Sequence, residues 1–346
     1  MERIKIKDSL YLLKETGKIY QVGFTATRKI KRIKVDSLSK DLLNFILEEQ
    51  SLLQVKDLMQ SQGYTLHHIN SALTSLSSLG IIDIFDKSDI NERNKCQLYF
   101  INELSSSWNE AIGLQKKVED CRIIVFGTGG IGTWIVNALY QMGVKNVTIN
   151  DPDTIEESNV NRQLYFTSDN IGMYKVDVLK EKLSDCNIKT HKRYVSEKED
   201  LEDIIANQDF IVNCTDQPSV HETTKIISQY AEKLKIAYSF AGGYNMHLGM
   251  LGSIFVPDKT VCYDCFLEYQ KQNNPYLGLE VIREPRGSGN LGPMAGIIAN
   301  LHVMDIFKYL TGKGTFNKNR YAEIDFMNLD IHWMEYASQS YCKKCC

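Results

Sequence analysis

Arg122-Ile-Ile-Val-Phe126 runs directly into Gly127-Thr-Gly-Gly-Ile-Gly132 and then into an apolar stretch that reaches Gln141. Branched apolar residues at 122–126 favour a buried strand, and glycines at G-x-G-x-x-G spacing favour a tight turn into a helix at 131–141. Such a turn lets the backbone approach a phosphate, while the first helical turn offers unpaired N–H groups and the positive end of a dipole. Gly127, Gly129, Gly130 and Gly132 are therefore candidate phosphate-binding positions. A second strand, 147–150, leads to Asp151, 24 residues after Gly127, where a carboxylate can accept hydrogen bonds from ribose hydroxyls. By themselves the loop and the acid suit a nicotinamide dinucleotide enzyme.

Outward from this point, strand and helix patterns alternate at 121–126, 131–141, 147–150, 176–183, 210–213 and 220–234. That alternation predicts an α/β domain over 119–346, with a mostly parallel sheet and helices on both faces. The first 86 residues are patterned differently, with short β-rich pieces at 3–6, 10–13 and 19–24. Helices are expected at 41–49, with Ser39 as N-cap, at 55–62 and at 67–79 after Thr65, followed by Gly80 and a returning strand at 81–85. This is a small winged-helix-like α+β unit that could present a strand edge or groove to an extended peptide. Residues 87–118 read as a charged linker and a helix.

At 346 residues, 43% hydrophobic and 24% charged, the chain has ordinary globular composition and length for about two domains. The greasy segment 296–310 is broken by Asn300, His302, Asp305 and Lys308, short of the ~18 residues a membrane span requires. The opening MERIKIKDSL lacks a signal peptide's apolar core, so the expectation is a cytoplasmic protein with no membrane partner. The net charge of −3 hides an asymmetry, because residues 1–40 hold eleven Lys/Arg against four Asp/Glu. Five of those cations fall in the seven residues 28–34. The run reads first as a charge-protected edge strand, then as a site for an acidic leader peptide. Nucleic acid ranks last, since no aromatic residues are interleaved with the run.

Cys262-Tyr-Asp-Cys265 and Cys342-Lys-Lys-Cys345 are two C-x-x-C pairs separated by 76 residues. Cys262, Cys265, Cys342 and Cys345 can surround one Zn²⁺ tetrahedrally with no open position, which makes a structural site. A redox C-x-x-C is the competing reading, and Cys346 is a spare thiol beside the last ligand.

The run Asp151-Pro-Asp-Thr-Ile-Glu-Glu-Ser-Asn-Val-Asn-Arg-Gln163, then Ile171-Gly-Met-Tyr-Lys175, Asn213-Cys-Thr-Asp216 and Ala241-Gly-Gly-Tyr244, resembles the nucleotide site of the ubiquitin-activating-like superfamily. That superfamily includes the adenylyltransferases of sulfur-carrier proteins, and the resemblance covers residues 93–346. It implies a Rossmann-like fold, ATP and Mg²⁺ as cofactors, and a homodimer. It also implies Arg162 and Lys175 as triphosphate-binding cations, Asp153, Asn159 and Gln163 as further nucleotide contacts, and Asp216 as the Mg²⁺-associated carboxylate. One family feature departs: where relatives carry an arginine that reaches into the partner subunit, this chain has Cys96, with Arg93 and Lys95 close by.

No cysteine lies between Cys265 and Cys342, where thioester-forming relatives hold their nucleophile. That absence, the preceding unit and the length resemble the microcin-type peptide-adenylating enzymes and related modifiers of ribosomally made peptides. The resemblance implies ATP-dependent adenylation of a short precursor peptide's carboxylate. Adenylation of a ubiquitin-like sulfur carrier and a non-catalytic leader-peptide-binding role are the alternatives. The long segment 270–292, with Arg283, Arg286, Gly287 and Gly289, suits a crossover over a peptide tail and equally a disordered connection.

Overall fold

The computed structural model describes residues 2–16, 18–196, 200–275, 277–279, 282, 289–340, 342 and 344–345. The chain divides into two compact units, 1–116 and 117–346.

The first unit runs β1 (Glu2–Ile6), β2 (Leu10–Thr16), β3 (Ile19–Phe24), β4 (Lys29–Lys34), α1 (Ser37–Phe45), β5 (Gln50–Ser51), α2 (Leu52–Ser61), α3 (Leu66–Ser78) and β6 (Ile82–Asp86). Helices α4 (Lys95–Glu103) and α5 (Trp108–Asp120) follow. Two antiparallel sheets, β5-β1-β6 and β2-β3-β4, enclose a core in which Ile4, Val22, Leu42, Leu43, Ile46, Val55 and Ile69 are fully buried.

The first helix begins earlier than its apolar pattern indicates. Asp36, not Ser39, is the N-cap, and its carboxylate accepts from the Ser39 N–H at 2.7 Å. Leu47 then falls beyond the helix and is exposed. A carboxylate outcompetes a hydroxyl here because it carries charge into the first turn. The basic run forms the exposed edge strand β4, paired to β3 from Phe24↔Lys29 to Ile19↔Lys34.

Of the linker and helix expected at 87–118, residues up to 116 belong to the first unit. Asn102 of α4 donates to both oxygens of buried Asp83 at 3.0 Å, Lys7 donates to the Asn102 carbonyl, and Trp108 packs on Phe85. Asp83, which burial pushes towards its neutral form, thus has partners on two sides.

The second unit opens with β7 (Arg122–Phe126), α6 (Gly130–Gln141), β8 (Asn146–Asn150), α7 (Lys175–Lys182), β9 (Asn187–His191), α8 (Glu202–Ile205), β10 (Phe210–Asn213), α9 (Val220–Leu234) and β11 (Ala237–Phe240). It continues with β12 (Gly242–Asn245), β13 (Leu248–Leu251), β14 (Ile254–Phe255), α10 (Tyr263–Gln272), α11 (Gly292–Thr311), β15 (Arg320–Asp325) and β16 (Asp330–Glu335). The main sheet has the order β14-β11-β10-β7-β8-β9, with β14 the antiparallel member. Ile123 to Phe126 are fully buried because β7 lies between parallel neighbours and is covered on both faces.

From β7 the chain winds first through β8 and β9, then crosses to β10 and β11 on the other side. The gap between β7 and β10 is therefore a topological switch point, where ligands of open α/β sheets gather. The register keeps the strand ends level, with Phe126 opposite both Asn150 and Asn213, so Gly127, Asp151 and Cys214 emerge side by side. A smaller antiparallel sheet, β12-β13-β15-β16, shares with α11 a core of Leu251, Ile298, Ala322 and Ile324. In α11 the interrupting Asp305 is buried and accepts from the Asn317 N–H at 2.6 Å. No helix of the described residues is long and apolar enough to cross a membrane.

Candidate functional site

The ends of β7, β8 and β10, the start of α6 and segments 152–163 and 193–195 line a cleft of about 1190 Å³. Its floor is the glycine turn. Gly127 adopts φ +82°, and a Cβ there would lie 2.8 Å from the Cys214 backbone. A Cβ on Gly132 would collide with the Gly127 carbonyl, whereas one on Gly129 would meet nothing within 4 Å. Gly127 and Gly132 thus make the close turn possible, and Gly129 leaves open the space that faces the α6 N-terminus.

Asp151 is buried at the end of β8. One carboxylate oxygen accepts from the Thr128 N–H at 2.6 Å and its hydroxyl at 2.9 Å, and the other accepts from the Asp153 N–H at 2.9 Å. The acid therefore braces the loop as well as facing the cleft, and its remaining lone pairs suffice for a ribose hydroxyl. Lys175, at the start of α7, is mostly buried, and its Nζ donates to Asp153 at 2.8 Å. A buried ammonium needs that partner.

Asn159 is buried in the turn before Arg162, with its Oδ1 accepting from the Glu156 N–H at 3.0 Å. Arg162 donates to the Ser158 carbonyl and to Asn161 Oδ1 from one guanidinium nitrogen, and it lies against the Tyr244 hydroxyl. Burial pushes that phenol up, an effect opposed by the Arg162 charge. Asp216 is exposed on the cleft wall and forms no hydrogen bond or ion pair among the described residues. It does not cap the next helix, since Ser219 Oγ accepts from the Glu222 N–H at the start of α9. Gln163 Oε1 and Thr215 Oγ1 are buried, line the cleft and lack a hydrogen-bond partner among the described residues. Both atoms are available to bond a polar ligand or a water in the cleft. Burial pushes the Cys214 thiol up, which suits packing behind the loop rather than nucleophilic attack.

The sequence matches the ThiF family over residues 84–345. The chain belongs to the ThiF family. Among curated relatives, the molybdopterin-synthase adenylyltransferase of Escherichia coli is 26% identical over 237 residues, 67% of this chain and 89% of that protein. The Escherichia coli sulfur carrier protein ThiS adenylyltransferase is 25% identical over 58% of this chain and 77% of that one. The adenylyltransferase and sulfurtransferase UBA4 of Eremothecium gossypii is 29% identical over 57% of this chain, which spans 43% of its length. The crystal structure of Escherichia coli MccB with ATP superposes with TM-score 0.71 at 18% identity, covering 99% of both chains. A parallel-dominated sheet flanked by helices is the fold that the two proteins share.

In this ThiF-family chain the structure brings Gly127, Gly129, Gly130, Asp151, Asp153, Asn159, Arg162, Gln163, Lys175 and Asp216 to one cleft, with Gly132 packed beneath it. Thr128, which bonds Asp151, and Tyr244, which lines the cleft, are functional positions that the sequence pattern does not single out. Arg193 and Val195 also line the cleft without any local sequence signature. They arrive there because the Asn150 amide bonds the Arg193 backbone in both directions, at 2.9 and 3.0 Å. Cys96 is exposed on α4 of the first unit, and Arg283, Arg286, Gly287 and Cys346 lie outside the described residues.

The four cysteines form a separate cluster. Cys262–Cys342, Cys265–Cys345 and Cys342–Cys345 have sulfurs 3.5 Å apart, and Cys262–Cys345 3.7 Å. A tetrahedron with Zn–S bonds of about 2.3 Å has edges of about 3.8 Å, so the donor set fits zinc in type and spacing. Burial pushes the Cys262 and Cys265 thiols up, while the Lys344 backbone N–H pulls Cys342 down. Lys344 ties the same turn to Glu232 and Asp264 at 2.9 and 2.6 Å.

Proposed function

We propose that this chain is an ATP-dependent adenylyltransferase that activates the carboxylate of a short ribosomally made peptide. The observation that carries this reading is the polar inventory of the cleft. A glycine turn open at Gly129, two cations, an unpaired carboxylate and the orphaned Gln163 and Thr215 atoms converge at a switch point. Backbone N–H groups at the start of α6 would take phosphate oxygens, and Arg162 and Lys175 would neutralise the triphosphate. Asp216, with no intramolecular partner among the described residues, offers the hard oxygen that Mg²⁺ requires, and nucleotide phosphates would complete its shell. Mg²⁺ supplies charge neutralisation at the phosphates. In the reaction, a carboxylate oxygen bonds to the α-phosphorus of ATP as the bond to the β-phosphate oxygen breaks, giving an acyl-adenylate and pyrophosphate. With no cysteine between Cys265 and Cys342, the acyl-adenylate is not passed to a thioester in that segment.

Two features support a peptide as acceptor. The likeness to MccB covers 99% of this chain, including the first unit, and MccB has been crystallised with the peptide MccA. The same unit carries an exposed β-strand edge at β4 rich in cations. The curated relatives favour a second reading, a small sulfur-carrier protein as acceptor.

Exchange of labelled pyrophosphate into ATP separates the two. With a panel of synthetic peptides, exchange is expected with free C-terminal acids and absent with the matching amides. Exchange driven solely by a carrier protein ending in Gly-Gly would replace the peptide reading with the second one, and no exchange with either would overturn adenylation.

A further inference from the structure

Arg162 is held from behind the cleft as well as inside it. Trp134, in the second turn of α6, donates from its indole Nε1 to the Arg162 carbonyl at 3.2 Å. Its ring lies flat against α11, where a Cβ on Gly296 would come within 3.3–3.5 Å of three indole atoms. The neighbouring Thr133 hydroxyl donates to the Gly129 carbonyl at 3.0 Å and accepts from the Leu164 N–H at 3.1 Å. At the preceding peptide, the Asn161 carbonyl abuts Gly292, where a Cβ would lie 2.7 Å away. Trp134 does not itself line the cleft.

We infer that Trp134 is a positioning residue for Arg162. The helix that begins at the glycine turn also clamps the backbone of the cleft's arginine, so amide donors and guanidinium are carried on one rigid body. Gly292 and Gly296 allow α11 to press close enough to hold the clamp shut. The phosphate cradle is thereby set before nucleotide enters, which spares the ordering cost of a mobile arginine. The inference rests on the cleft being an ATP site.

Calorimetric ATP binding to the full chain tests it, in a cycle of Trp134→Phe, Arg162→Ala and the double variant. Phenylalanine keeps ring packing on Gly296 but removes the N–H, so affinity for ATP falls about fivefold, the effect of one lost hydrogen bond. If Trp134 acts through Arg162, the double variant binds no worse than Arg162→Ala. Additive losses, or unchanged binding by Trp134→Phe, would overturn the positioning role while leaving the nucleotide site standing. Failure of the unaltered chain to bind ATP would overturn both. Should Trp134→Phe not fold, Gly296→Ala displaces the indole by a few tenths of an ångström, and the same non-additivity with Arg162→Ala is expected.

Discussion

Asp216 shows how a residue can be distinguished by what it does not do. Two other carboxylates of the cleft are engaged: Asp151 braces Thr128, and Asp153 pairs with Lys175. Asp216 follows the end of β10 on the sheet edge where Asp151 follows β8, yet it contributes no hydrogen bond or ion pair to the fold among the described residues. Its replacement should therefore leave stability alone and remove function. Asp216→Asn keeps shape and loses charge, so pyrophosphate exchange is expected to fall about 100-fold or more, with the melting temperature unchanged within a degree or so. Exchange at the parental rate would take Asp216 out of the machinery, and a large fall in melting temperature would mean that it has a structural partner instead.

The glycine turn is where sequence and structure meet most closely, because its constraints are backbone constraints. A Cβ on Gly132 has nowhere to go except into the Gly127 carbonyl, whereas Gly129 has empty space in front of it and an ordinary φ of −78°. The two alanine variants should separate cleanly. Gly132→Ala is expected to cost about 2–4 kcal/mol of stability through forced displacement of the loop, read from denaturant unfolding. Gly129→Ala is expected to fold normally and to lose ATP affinity at least tenfold, because the methyl group would fill the space proposed for a phosphate. Equal stability for the two variants would refute the packing argument. The same distinction explains what could be read without coordinates. Strand β7, its turn and the cysteine pairs were legible because each obeys a short-range rule. The start of α1 was not, because Asp36 lies three residues ahead of the expected cap, Ser39, and caps through its side chain. Nor was the docking of α4, which depends on Asn102 finding Asp83 19 residues back. Arg193 belongs with these: Asn150 draws it to the cleft across 43 residues, and no local pattern records that pairing.

At the scale of the whole second unit, the four cysteines do what neither sheet nor helix packing does for the C-terminus. Cys262 and Cys265 are buried in the aromatic core that includes Phe240, Phe255, Tyr263 and Phe266, while Cys342 and Cys345 are half-buried and pack against it from outside. β16 ends at Glu335, so the remaining described residues are fastened by Tyr336, by the Lys344 ion pairs and by the thiol cluster. The ion pairs are partly exposed and contribute little at ordinary ionic strength. A metal closing that loop would therefore provide most of the local stability. We expect the chain as purified to hold one equivalent of zinc, and Cys342→Ser to bring that well below one. We also expect the variant to melt at least about 5 °C lower, since several kcal/mol of closure are lost. A strong chelator should shift the parental protein towards the variant and leave the variant where it is. Full zinc content in Cys342→Ser would remove that residue from the ligand set. A parental protein free of zinc, two hydrogen atoms lighter per cysteine pair and indifferent to chelator would replace the metal with disulfides formed by an external oxidant.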